Sequence, residues 1–255
     1  MEEGSFYITL PSNASNEIYS DNKISNYRVK LARPLSLRGA WEVALIEIQY
    51  PKTWATFLQE DGTFSMADVR TKEITPCDLR EGFYTNIPSI IDEINMLVEG
   101  LSEDIEFGYD ELIHKVYAKA DRELSFIFQG KLARILGLDA DKPFIVPPRK
   151  KIRYAPHAAD FFGGEYSLFV YTDIIEHQIV GDHYVPLLRC VQITGEHTKV
   201  VSINYDKPHY TCLRKTDISD IEIAIKNDQN YNIPFQYGKI VVKLHFRPAK
   251  QTQRF

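Results

Sequence analysis

The chain has 255 residues, 44% of them hydrophobic and 25% charged, with a formal net charge of −5. That balance excludes wholesale disorder, and the length allows one large domain or two small ones around a buried core. The mild acidity argues against nucleic acid as the main partner of the whole chain.

Fifteen Tyr, 14 Phe and 2 Trp stand against only 3 Met. Aromatic and β-branched side chains suit a pleated, half-buried surface, so the composition predicts a β-rich fold. The start, Met1-Glu2-Glu3-Gly4, lacks the basic and apolar regions of a signal peptide. No apolar run reaches the roughly 18 residues a membrane span needs. Cys77, Cys190 and Cys212 are odd in number and widely spaced, as expected of reduced thiols inside a cell.

In chain order, Phe6 to Leu10 reads as a short strand stopped by the turn cluster Pro11-Ser12-Asn13. Tyr27, Val29 and Leu31 alternate with Arg28 and Lys30, the period of a strand with one wet face. Trp41 to Tyr50 is nearly all apolar and reads as a central strand, closed by Pro51. Shorter strands are predicted at 63–66, 69–74, 105–109, 112–119 and 123–128. Further on they are predicted at 167–175, 187–194, 199–205, 209–213, 221–225 and 239–247. About a dozen strands divided by turn signals fit a sandwich or barrel rather than alternating strands and helices.

Two segments have helical spacing. Ile90, Ile91, Ile94, Leu97, Val98 and Leu101 predict a helix over 87–101, with Asn86 as its cap and Pro88 in its first turn. A shorter helix is predicted over 131–137, stopping at Gly137. Both are amphipathic and too short to stand alone. The Pro-rich, basic loop 139–156 is either a linker between two small domains or a long loop within one.

Few constellations carry chemistry. Glu176, His177, Asp182 and His183 cluster in a turn, but a cupin-like metal enzyme would need two His one residue apart on a strand. A polar loop is the better reading. Cys212 with His209, and Cys190 with His183, are near in sequence, which does not orient a base; Cys190 sits at an apolar strand position suited to a buried, inert thiol. No Gly-rich phosphate loop, nucleophile elbow or His-Glu-x-x-His occurs.

Two charge blocks stand out. Glu99, Glu103, Asp104, Glu106, Asp110 and Glu111 form an acidic stretch, and Lys142 to Arg153 carries Arg149, Lys150, Lys151 and Arg153 without an acid. Solvated surface loops are the plain reading. The sharper one is that the blocks meet between subunits of a ring and set its register.

Five stretches resemble the penton (minor capsid) proteins of Polinton/Maverick elements and the related adintoviruses. They are Phe6 to Ser15; Gly39 to Pro51 with Trp54; Leu132 to Gly137; Phe169 to Glu176 through Gln178–Asp182 to Pro186–Arg189; and Lys207–Tyr210 joined to Ile221–Ile223 and Phe235 to Arg247. The blocks follow the family's order and span nearly the whole chain. Departures are local: Thr211-Cys212 stands where a Pro-containing pair is expected, and His183-Tyr184 enlarges a turn.

The resemblance implies an antiparallel jelly-roll β-sandwich with extra strands. It is expected as a single domain over 1–247, with an insertion around 75–140 bearing the two short helices and a basic, flexible tail over 248–255. It further implies a homopentamer at the icosahedral vertices of a virion, surrounded by double-jelly-roll major capsid subunits. The basic tail is free to touch nucleic acid weakly; no membrane, cofactor or catalytic residue is implied. Expected core residues are Phe6, Trp41, Val43, Leu45, Phe169, Tyr171, Leu188, Val242, Leu244 and Phe246. Expected subunit-interface or capsid-contact residues are Tyr50, Trp54, Glu106, Asp110, Glu111, Arg149, Lys150, Lys151, Arg153, His183 and Tyr184. The alternatives are a jelly-roll module binding carbohydrate or protein, and a cupin-like enzyme using His177 and His183.

Overall fold

The computed structural model describes residues 4–57, 61–99 and 105–249. The strands are β1 (Phe6–Pro11), β2 (Asn26–Ser36), β3 (Trp41–Pro51), β4 (Thr63–Asp68) and β5 (Ile74–Asp78). Helix α1 (Ile87–Glu99) precedes β6 (Ile105–Asp110), β7 (Lys115–Ala120) and β8 (Leu124–Phe128). Helix α2 (Gly130–Leu136) is followed by β9 (Pro143–Val146), β10 (Arg153–Tyr154), β11 (Ser167–Thr172), β12 (Gln178–Val180) and β13 (His183–Val185). The chain closes with β14 (Leu187–Gln192), β15 (Val200–Asn204), β16 (Thr211–Cys212), β17 (Asp217–Lys226) and β18 (Val241–Pro248).

The chain divides into two compact units, one of 1–54 with 166–255 and the other of 55–165. In the first, β1-β18-β3-β15 form one sheet, with the short β16 also on β3, and β14-β11-β17-β2 form another. The eight principal strands of this unit, counted along the chain, therefore lie in the orders 1-8-3-6 and 5-4-7-2. Every pairing is antiparallel, and the arrangement is that of a jelly roll.

The core follows from strand periodicity. In β18, Val242, Leu244 and Phe246 are buried while Val241, Lys243 and His245 face the other side. They pack with Leu10, Val43, Leu45, Ile48, Val170, Leu188, Ile221 and Ile223 of both sheets. Trp41 and Phe6 pack against this cluster half-buried, their rings 5.6 Å apart. Phe169 and Tyr171 are corrected: on β11 the buried positions are Leu168, Val170 and Thr172, which turns both aromatics to the outer, half-buried face. Their run is apolar on both faces, so the sequence carries no alternation to set its phase.

The second unit is inserted between the third and fourth jelly-roll strands. It is larger than the expected 75–140 because β4, β9 and β10 belong to it. Its strands form the sheets β5-β4-β8-β9 and β10-β7-β6. A separate core gathers Phe107, Phe126 and Phe128 from these sheets with Ile90, Ile94, Leu132 and Ile135 from the helices. Asn86 Oδ1 accepts the Ser89 N–H at 2.9 Å, the expected cap of α1. Leu101 lies outside the described residues.

Three local expectations change. Residues 69–73 make a turn rather than a strand, because Asp68 Oδ1 accepts the Arg70 N–H at 2.8 Å and Lys72 takes a left-handed φ of 59°. The Pro-rich stretch 139–156 is no linker, since β9 pairs with β8 and β10 with β7. The turn after Ile175 is a hairpin, β12 with β13.

Within the inserted unit, Arg80 holds the buried Glu93 bidentately at 2.6 and 2.5 Å. Hydrogen bonding and charge from Arg80 lower the Glu93 carboxyl below its usual value of 4.5. A depressed acid adds stability above its unfolded pKa and loses it as pH falls through the folded one. Arg80→Met is therefore expected to lower the melting temperature most at pH 7. The gap from the wild type should close as pH falls below the ordinary glutamate range; a gap of equal size at pH 3 would show that Glu93 is not the cause.

Candidate assembly surface

The sequence-predicted interface residues separate into three groups. Tyr50 and Trp54 are corrected from interface to interior. Tyr50 is wholly buried; its hydroxyl donates to the Gln192 carbonyl and accepts the Thr194 N–H, both at 3.3 Å. Burial pushes its pKa up. Trp54 is 8% exposed and meets Phe235 edge-on at 5.3 Å. Position explains both: β3 is flanked by β18 and β15, and Trp54 lies just beyond its end.

The acidic and basic blocks come to one sheet within one chain, on either side of β7, and no ion pair joins them among the described residues. Strand β7 pairs with β6 on one side and β10 on the other, which brings both blocks to the same sheet of the inserted unit. Glu106 pairs with Lys119 at 2.9 Å, and Asp110 accepts the Tyr154 hydroxyl at 3.2 Å. The other Asp110 oxygen accepts the Leu112 N–H at 3.1 Å, closing the β6–β7 turn that contains the exposed Glu111. Arg149 and Lys150 take left-handed φ values of 65° and 53° and donate backbone N–H groups to the Asp121 and Ala120 carbonyls. Lys150 Nζ also stands 3.5 Å from Asp121. Lys151 and Arg153 are exposed beside them. Glu103 and Asp104 lie outside the described residues.

His183 and Tyr184 project from the β12–β13 hairpin of the jelly-roll unit. Ile179 there is 80% exposed and Tyr184 69% exposed, an unusual presentation for large apolar side chains on a two-stranded ribbon. His177 stacks on Tyr184 at 5.4 Å, while His183 Nε2 lies 3.3 Å from Asp182. The hairpin root is tied down by Asp173, which accepts the Glu222 N–H at 2.8 Å and pairs with Lys215 at 2.5 Å. The two histidines thus point to different partners, and among the described residues no three His, Cys, Asp or Glu are grouped to hold a metal ion.

Cys190 stands exposed on β14 rather than buried. Desolvation raises its thiol pKa, the opposite of what a nucleophile needs. Cys212 is likewise exposed, on the short β16.

The outer face of the first sheet carries interlocked polar and aromatic side chains. Arg247 pairs with Glu42 at 2.5 Å and stacks its guanidinium on Tyr210 at 3.4 Å. His245 stacks on Tyr7 at 4.5 Å and hydrogen-bonds the Tyr210 hydroxyl at 2.7 Å. These interlocked side chains leave the sheet's two ends, β1 and β15, as its open margins. Strand β15 falls within the strand expected over 199–205, but none of its residues was among the expected interface positions; its signal is five consecutive residues, Val200 to Asn204, without a charge or a proline.

No family model matches the sequence, and no curated protein matches it. A solved structure does match: the crystal structure of the mavirus penton protein, at 12% identity and a TM-score of 0.54. The match covers 96% of this chain and 99% of that one. At that identity the likeness is one of fold. The chain is an all-β protein with two short inserted helices and the fold of the mavirus penton protein.

Proposed function

We propose that the protein is a penton subunit, a structural capsid protein that forms homopentamers at the vertices of a Polinton-like virus. It acts by shape and self-association rather than by chemistry. The observation that carries this reading is the end-to-end match to a penton protein, 96% of one chain on 99% of the other. The five sequence blocks that resemble Polinton and adintovirus pentons support it independently.

A ring needs unlike faces of each subunit to meet and the rotation to close. A jelly roll with two distinct flanks offers such faces. In the virion its neighbours would be double-jelly-roll major capsid subunits, and its basic tail, whose last six residues lie outside the described ones, would make at most a weak nucleic-acid contact. Purified protein is expected to elute in multi-angle light scattering with the mass of five chains. A stable monomer at micromolar concentration across several salt conditions would overturn the reading.

A further inference from the structure

The four strands that end the main paths of the two jelly-roll sheets, β1, β15, β14 and β2, differ in how their edges are protected. An exposed edge offers unpaired N–H and C=O groups to any passing strand, so proteins ordinarily blunt it with charge, proline or a bulge. Strand β2 carries Arg28, Lys30, Arg33 and Pro34, and its pairing with β17 shifts register. Strand β14 carries Arg189, and its pairing with β11 shifts as well. Strands β1 and β15 have neither a charge nor a register shift, and β1 meets a proline only at its last residue. Both unblunted edges belong to the same sheet.

Hydrogen bonding fixes which groups they offer. Lys52 donates its N–H to the Lys199 carbonyl at 2.9 Å, and Tyr205 donates to the Ile46 carbonyl at 2.8 Å. In an antiparallel ladder the bonded residues alternate, so 199, 201, 203 and 205 face β3. Val200, Ser202 and Asn204 therefore direct their backbone groups outward; all three are exposed, Val200 at 70%. On the opposite flank, Ser12 donates to the Ile240 carbonyl at 2.8 Å, which turns the backbone groups of Tyr7 and Thr9 outward, both again exposed.

Strand direction completes the argument. The sheet contains four strands in sequence, each antiparallel to the next, so β1 and β15 run in opposite directions. Copies related by rotation about an axis along the strands keep their strand directions. The β15 edge of one copy laid beside the β1 edge of the next then continues the antiparallel alternation. Such a contact joins unlike surfaces and is free to close into a ring.

We propose that subunits assemble by strand addition, β15 of one copy pairing with β1 of the next through Val200, Ser202 and Asn204 against Tyr7 and Thr9. This rests on the pentamer reading and specifies its joint. Two variants test it, Val200→Lys and Thr9→Lys, each placing a charge on one edge while leaving the other intact. Light scattering at micromolar concentration is expected to give five chains for the wild type and one for each variant, with melting curves confirming folded protein. An equimolar mixture is expected to form a 1:1 heterodimer and nothing larger, because only one competent β15 edge and one competent β1 edge remain. Folded variants that still run as pentamers, or a mixture that stays monomeric, overturn the strand-addition joint and leave the pentamer standing. A wild type that dimerises, and is dispersed by only one of the two variants, shows like edges pairing and also overturns it. A monomeric wild type removes the pentamer reading itself.

Discussion

Phe246→Ala is expected to lower the unfolding free energy by about 3–5 kcal/mol, the usual cost of truncating a large aromatic in a packed core. Phe246 is wholly buried on β18, paired in register with Phe6 on one side and Val43 on the other. Its ring stacks on Phe6 at 5.1 Å with 3° between the planes. Strands on both sides hold the backbone, so the cavity cannot collapse, and the stacking energy of roughly 0.5–1.5 kcal/mol is lost with the ring. Urea midpoints at matched protein concentration measure the change, since assembly would otherwise add to the apparent stability. Phe169→Ala is the internal contrast. Its half-buried outward position predicts a loss well under half that of Phe246, and equal losses would refute the face assignment on β11.

Gly137→Ala is expected to destabilise the inserted unit by roughly 3 kcal/mol or more, beyond the ~1–2 kcal/mol of left-handed strain alone. Gly137 caps α2 at φ 71°, donating its N–H to the Ala133 and Arg134 carbonyls. A Cβ there would stand 2.4 Å from the His157 carbonyl oxygen and 2.7 Å from that of Ala158. Those are backbone atoms and cannot rotate away, and the His157 N–H is itself bonded to the Gly137 carbonyl at 3.0 Å. Gly164→Ala separates strain from collision: its φ is 91°, but an added Cβ meets nothing within 4 Å. It should cost only the strain. Trp41 and Trp54 both lie in the jelly-roll unit, so amide hydrogen exchange across 124–138 is the suitable readout. Equal protection in the two variants would contradict the collision.

Much of the fold was legible because strand and helix periods survive in the sequence. The alternation over 239–247, the apolar run 41–50 and the helical spacing after Pro88 each became the expected element, within a few residues. The stop at Gly137 was legible for a physical reason, since a left-handed cap excludes side chains at little cost only when the residue is Gly. What misled was short, polar or two-faced. Strand β10 has two residues and β9 begins on a proline, so both hid inside a loop composition. Strand β11 is apolar on both faces, so Phe169 and Tyr171 could not be told from Leu168 and Val170.

The assembly surface was less legible. Aromatic residues at Tyr50 and Trp54 suit an interface as well as a core by composition, and only the neighbours supplied by Phe235, Gln192 and Thr194 decide for the core. The charge blocks were visible as blocks, but their placement on one sheet depended on β7 pairing with both β6 and β10, a relation between residues some 40 positions apart. By itself the sequence determined the β class, the two helices, most strand positions and the resemblance to pentons, because these depend on local period and residue type. Tertiary structure alone decided the jelly-roll strand order, the extent of the inserted unit, which aromatics are interior, and which two edges are left unblunted. Each of those is a property of pairing across the chain, and a strand's own residues do not say what lies beside it.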